Sequence, residues 1–211
     1  MIKAVVFDIG GVLEIVDDST WPDLWAQRWR ERGDPALVRD RLATGHASAG
    51  TDGDPADDAM SEAQVRAMYA ARFGLTEVQA DAMMVDLWNA YCGRLDEQMR
   101  DFAASLRPRY ATAILSNSAD GARREEQRRY DFAGLVDTIV YSHEVGVAKP
   151  HPAIYRIAAE RVAAEPGEIV LIDDSEQCVV GARAAGWHAI HHTRTALTVP
   201  AVMRILDSAG C

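Results

Sequence analysis

Four places in the chain put reactive side chains directly behind short apolar runs. Asp8 follows Ala4–Phe7, Ser116-Asn117 follows Thr112–Leu115, and Asp173-Asp174 follows Ile169–Ile172. Lys149 lies in Gly146-Val147-Ala148-Lys149-Pro150, just beyond Thr138–Tyr141. Taken singly, each has an ordinary use: Asp174 as a helix cap, Ser116-Asn117-Ser118 as a turn, Lys149-Pro150 as a solvated loop. Taken together, they point to chemistry. Carboxylates a few ångströms apart repel in a partly desolvated site and need protons or cations to compensate. An all-oxygen acidic site suits Mg²⁺, Lys149 adds a positive charge, and the Ser116 hydroxyl can donate to a phosphoryl oxygen. One carboxylate is then placed to attack phosphorus, giving an aspartyl-phosphate that water cleaves.

This convergence requires a parallel sheet, because only there do the carboxyl ends of the strands share one edge. The apolar runs Ala4–Phe7, Thr112–Leu115, Thr138–Tyr141, Ile169–Ile172 and Trp187–Ile190 are continuous rather than alternating, as strands buried on both faces should be. Pro152–Ala164 and Ser175–Ala185 read as crossover helices between the later runs. The fold class is therefore α/β.

From Asp17 to Arg94 the pattern changes to amphipathic helices with clear punctuation. Trp21, Trp25 and Trp29 form an i, i+4 stripe with Pro22 in the first turn and Gly33 as a stop, and the stripe reads as helix packing. Asp34-Pro35 opens another helix that ends near Gly45. Ser61 with Gln64 and Thr76 with Gln79 have capping-box spacing, with Gly74 between the two helices. The segment from His46 to Asp58 reads as a loop. The expected division is a discontinuous α/β core, residues 1–15 and 95–211, with a helical cap over 16–94.

With 211 residues and 48% hydrophobic side chains, the chain has material for a real core. A formal net charge of −10 argues against nucleic acid and anionic membrane as partners. Cys92, Cys178 and Cys211 lack pairing or metal-ligand spacing and suggest a reducing compartment. No apolar run approaches membrane-spanning length, and Asp8 interrupts the only N-terminal one, so the expected location is the cytoplasm. Oligomeric state is not legible.

The ordered segments Val5-Val6-Phe7-Asp8-Ile9-Gly10-Gly11-Val12-Leu13, Ile114-Leu115-Ser116-Asn117, Gly146-Val147-Ala148-Lys149-Pro150-His151-Pro152 and Ile172-Asp173-Asp174-Ser175 resemble the haloacid dehalogenase-like hydrolase superfamily. The likeness is to the subfamily whose helical cap follows the first strand, and it covers essentially the whole chain. The resemblance implies a Rossmann-like core and a Mg²⁺-dependent phosphatase acting on a small phosphorylated metabolite. Asp8 would be nucleophile and metal ligand, with Lys149 steadying nucleophile and phosphate. Ser116, Asn117 and Gly11 would bind substrate. Asp174, Asp173 and the Gly10 backbone carbonyl would complete the metal site.

One position departs from that pattern. Phosphatases of the superfamily mostly carry a second aspartate two residues after the nucleophile, which protonates the leaving group and activates water; here the residue is Gly10. Three explanations follow: a carboxylate at Glu14, Asp17 or Asp18 substitutes, the leaving group is acidic enough to depart unaided, or turnover is poor. Two other functions remain open. A 2-haloacid dehalogenase also lacks the second aspartate, but usually has an aromatic residue there and an arginine soon after the nucleophile, whereas the nearest arginine here is Arg28. A non-catalytic binding protein would keep the fold without turnover. Of His46, His143, His151, His188, His191 and His192, none is assigned more than a surface or capping role.

Overall fold

The computed structural model describes residues 1–15, 21–37 and 60–208. Five parallel strands form one sheet in the order β5-β4-β1-β6-β7: β1 Ala4–Phe7, β4 Ala111–Ser116, β5 Thr138–Tyr141, β6 Ile169–Asp173 and β7 His188–His191. Side chains alternate between two cores because the pleat has period two. Val5 and Phe7 pack on one face with Met99, Phe102, Val202 and Leu206; Ala4 and Val6 pack on the other with Ile154, Tyr155, Val179 and Ala182. Helices α4 (Glu97–Ser105) and α8 (Thr195–Ser208) cover the first face, and α6 (Pro152–Val162) and α7 (Glu176–Ala184) the second. Burial on both faces explains why the strands read as continuous apolar runs.

The last strand starts one residue later than expected. The Trp187 amide donates to Ala182 O, closing the end of α7 beside Gly186 at φ 86°, and its ring packs edge-on against Tyr155 at 5.5 Å. Trp187 is apolar because it seals a helix end, which a run of hydrophobic letters does not distinguish from a strand start.

Between β1 and β4 lie α1 (Trp21–Arg32), α2 (Glu62–Phe73) and α3 (Glu77–Tyr91). Both expected capping boxes form, and Gly74 ends α2 in the left-handed region at φ 67°. Trp25 and Trp29 are buried in a core of their own with Tyr69, Phe73, Met83 and Leu87. Trp25 meets Tyr69 edge-on at 4.9 Å. Asp34 Oδ1 accepts from the Ala36 amide as the chain turns helical at 35–37. The rest of the helix expected up to Gly45, the loop from His46 to Asp58, and Asp17, Asp18 and Cys211 lie outside the described residues.

A feature with no signal in the sequence is a two-stranded antiparallel ribbon, β2 (Glu14–Ile15) against β3 (Arg94–Leu95), where the chain leaves the sheet domain and returns. Each strand has two residues, too few for periodicity to register. The helical block is further seated by ion pairs and hydrogen bonds to α5 (Ala122–Tyr130). Arg124 pairs with Glu62, Arg129 donates to Asn89 Oδ1, and Tyr130 donates to Gly93 O.

Candidate active site

Register places the reactive residues at one edge. Phe7 pairs with Ile114 on one side and Ile172 on the other, so Asp8 emerges between Leu115-Ser116 and Asp173. The Asp8 amide continues the ladder by donating to Ile172 O at 2.9 Å. Asp8 Oδ1 accepts from the Ile9 amide at 2.8 Å, which fixes the carboxylate.

Lys149 Nζ lies 2.9 Å from Asp8 Oδ1 and 2.7 Å from Asp173 Oδ2, fully sequestered from solvent. Asp173 uses its other oxygen to accept from the Ser175 amide at 2.9 Å. Burial alone would lower the Lys149 pKa, but the charges of Asp8 and Asp173 outweigh it and hold the ammonium charged. Burial pushes Asp8 up to about 7, with Lys149 pulling against it and Asp173 reinforcing it. The two tendencies are consistent, since one ammonium between two buried carboxylates compensates only one charge.

The remaining deficit fits a cation. Asp8, Asp173 and Asp174 offer carboxylate oxygens that all lie within 4.8 Å of one another, and Asp174 is raised by burial and then by the Asp173 charge. Hard oxygen donors at this density match Mg²⁺. Gly11 makes the approach of Asp174 possible. It has φ 71°, and a β-carbon there would stand 2.2 Å from Asp174 Oδ2.

Ser116 and Asn117 end β4 beside the lysine loop. Asn117 is pinned in both directions: its Nδ2 donates to Lys149 O at 2.9 Å, and its Oδ1 accepts the Lys149 amide at 2.8 Å. The loop carrying the lysine is thus clamped to the strand carrying the serine, which the sequence did not announce. Asp8, Gly10, Ser116, Asn117 and Lys149 line one cleft of about 320 Å³.

The far wall of that cleft holds Glu14, Tyr91 and Glu126. Glu14 is one of the carboxylates that the sequence offers in place of the missing aspartate, whereas Glu126 is not. Residues Ala122, Glu126 and Tyr130 form the inward stripe of α5, and a carboxylate on such a stripe is the signal that could have found it. Burial pushes Glu14 up to about 9, with the Glu126 charge adding to it, and pushes Glu126 up to about 8. Among the described residues, no histidine lines the cleft. His151 caps α6 through Nδ1, His192 bonds Thr198 Oγ1, His143 bonds Ser118 Oγ, and His191 contacts the Asp174 backbone oxygen.

A family model for haloacid dehalogenase-like hydrolases matches residues 2–186. The chain belongs to the haloacid dehalogenase-like hydrolases. Among curated relatives, it is similar to Phosphatase MT3486 of Mycobacterium tuberculosis, with 37% identity over 76 residues, 36% of this chain and 35% of that one. It is also similar to the phosphorylated carbohydrates phosphatase of Thermotoga maritima, with 30% identity over 83 residues, 39% of this chain and 38% of that one. The (S)-2-haloacid dehalogenase 1 of a Pseudomonas matches at 27% over 85 residues, 40% of this chain and 37% of that one. These alignments span little more than a third of the relatives' length. Among solved structures, a family enzyme from Bacteroides thetaiotaomicron in complex with magnesium and inorganic phosphate superposes with a TM-score of 0.71 at 21% identity, covering 93% of this chain and 99% of that one. At that identity the likeness is one of fold. Among the described residues, no helix is long and apolar enough to cross a membrane.

Proposed function

We propose that the protein is a Mg²⁺-dependent phosphatase that hydrolyses a small phosphorylated metabolite through an aspartyl-phosphate on Asp8. The observation that carries this reading is the acidic cluster of Asp8, Asp173 and Asp174 beside a single buried lysine. It leaves negative charge for a cation to balance, in a cleft that also contains a serine hydroxyl. A halide-displacing enzyme has no need of such a cluster. The phosphatase relatives and the magnesium and phosphate bound by the Bacteroides fold neighbour support the same reading.

In this reading Asp8, Asp173, Asp174 and the Gly10 carbonyl hold the ion, with Gly11 leaving room for Asp174. When bound, the ion offsets charge on the phosphoryl oxygens. The free oxygen of Asp8 attacks phosphorus in line with the leaving group, while Lys149 keeps that carboxylate ionised and offsets charge on the transferring group. Ser116, the Asn117 backbone and the Gly11 backbone orient the phosphoryl group, and Asn117 holds the lysine loop in register. Residues 1–15 and 95–211 form the catalytic core, and 16–94 the helical cap.

The test is phosphate release from a panel of phosphate esters, alongside halide release from 2-haloacids, with Mg²⁺ or EDTA, by the protein and its Asp8→Asn variant. Mg²⁺-dependent phosphate release abolished by D8N is the expected result. Halide release that persists in EDTA would refute it, as would absence of phosphate release from every ester by folded protein.

A further inference from the structure

Gly10 leaves a gap. A β-carbon at this position would meet nothing within 4 Å, and Gly10 lines the same cleft as Glu14, Tyr91 and Glu126. Both glutamates are 1% exposed, and each keeps one carboxyl oxygen, Oε1, without a hydrogen-bond partner among the described residues. A buried polar atom left unpaired is costly and calls for an explanation.

Glu126 is the more unusual of the two. Its helix α5 carries four arginines, and each is committed elsewhere: Arg123 to Glu144, Arg124 to Glu62, and Arg128 and Arg129 to Glu125. Among the described residues, Glu126 thus forms no ion pair, although its helix is rich in arginine. Its Oε2 accepts the Tyr141 hydroxyl, which fixes the carboxyl and leaves Oε1 unpaired among the described residues, and Glu126 is one of the residues lining the cleft. Glu14 is held differently, accepting from the amide of Gly93, the residue just before β3 at the neck of the helical block.

We propose that Glu126 is the acid–base group of the phosphatase reaction, taking the part that a side chain at position 10 would otherwise play; this rests on the phosphatase reading above. As Asp8 attacks, the bond from phosphorus to the leaving oxygen breaks and its electron pair goes to that oxygen. The Glu126 proton is transferred to it, so the alcohol departs neutral and Glu126 becomes a carboxylate. Water then attacks the aspartyl-phosphate while Glu126 takes its proton. The phosphorus–oxygen bond to Asp8 breaks, its electron pair restores the Asp8 carboxylate, and inorganic phosphate is formed with Glu126 protonated again.

The environment supports a proton at neutral pH. Burial raises Glu126 most, the Tyr141 hydrogen bond lowers it, the Asp8 charge raises it and the Arg123 charge lowers it, leaving it at about 8. Glu14 from β2, together with Tyr91 and Cys92 at the end of α3, faces the same carboxyl, since each is raised in turn by the Glu126 charge. An acid titrating near the working pH is the efficient kind.

The experiment compares an alkyl phosphate, glycerol phosphate, with p-nitrophenyl phosphate, whose leaving group needs no proton. The Mg²⁺-loaded wild type, E126Q, E14Q and the double variant G10D/E126Q are followed in the pre-steady state. In E126Q, alkyl turnover should fall by about 10²–10⁴-fold. The same variant should still release one equivalent of p-nitrophenolate per protein in a burst, then stall for want of a base. G10D should restore alkyl turnover in the E126Q background, a gain that misfolding cannot mimic. Should E126Q not fold, E126D carries the same test, since withdrawing the proton by one methylene should cost alkyl more than aryl turnover. Alkyl turnover by E126Q within about threefold of wild type would overturn the proposal, as would loss of the burst together with it or a loss that follows E14Q instead. Wild type that releases phosphate from no ester would overturn the phosphatase reading itself, and is told apart by the wild-type arm alone.

Discussion

Replacing Lys149 by methionine removes the only cation bridging Asp8 and Asp173 among the described residues. At contacts of 2.9 and 2.7 Å and an effective dielectric near 20, each attraction is worth about 6 kcal/mol. Desolvation of the ammonium, several kcal/mol, offsets much of this, and breaking a buried pair by deleting one partner typically costs a net of about 3–5 kcal/mol. For a chain of this length 1 kcal/mol corresponds to roughly 2–4 °C in Tm, so K149M should melt about 6–20 °C below wild type at pH 8 in EDTA. Two features of the site refine the expectation. Asp8 is already pushed up to about 7, so acidification lets it shed its charge and the gap should narrow between pH 8 and pH 5. Millimolar Mg²⁺ should narrow it at pH 8 as well, by supplying positive charge to the same oxygens. Thermal denaturation of both proteins at two pH values, with and without Mg²⁺, reads all of this. A K149M protein melting within about 2 °C of wild type at pH 8 in EDTA would refute the idea that Lys149 is the counter-ion of the buried carboxylates.

Three further expectations follow from the site. Gly11→Ala forces a side chain to φ 71° and a β-carbon to 2.2 Å from Asp174 Oδ2, so it should cost about 1–3 kcal/mol in stability and weaken Mg²⁺ binding; an unchanged Mg²⁺-induced rise in Tm would contradict this. Asp174→Asn should abolish most of that Mg²⁺-induced rise while leaving the EDTA melting temperature unchanged or higher, because Asp174 is raised by burial and by Asp173 and its charge is unfavourable without a cation. Glu14 and Glu126 have folded pKa values raised to about 9 and 8, so the folded state binds protons that the unfolded state has lost. Stability is then greatest below the unfolded glutamate value and falls as pH rises to about 9, and chemical denaturation in EDTA should show a shallower fall for E14Q than for wild type.

The parallel sheet and the convergence of Asp8, Ser116, Lys149, Asp173 and Asp174 were legible because each rests on a local signal, a doubly buried apolar run ending in a polar residue, and the fold rule for strand ends does the rest. The tryptophan helix and both capping boxes were legible for the same reason: three or four residues suffice to specify them. What escaped depends on distant partners. The ribbon Glu14–Ile15 with Arg94–Leu95 is formed by residues about eighty positions apart, with two on each side. The burial of Glu126 is imposed by β5, the neck and the helical block together, while its own helix, Ala-Arg-Arg-Glu-Glu-Gln-Arg-Arg-Tyr, reads as a solvated surface. Glu125 and Glu126 are adjacent and chemically identical, yet burial pushes Glu126 up while arginines hold Glu125 down at about 2. Only the direction in which each points decides which one meets the cleft.

The ribbon at the neck has a consequence for how this chain tolerates change. Outgoing and returning strands are hydrogen-bonded to each other, and the Asp96 amide donates to Leu13 O just below them at 2.8 Å. The sheet therefore experiences the whole helical block as the tip of a β-hairpin, however many residues that tip contains. Closure entropy grows only slowly with the length of the excursion, by about 0.6 kcal/mol for each doubling. Blocks of quite different size or shape can thus be exchanged above Ile15 and Arg94 without altering the register of the strands that carry the acids, and a two-residue turn grafted at that point should close the core on its own.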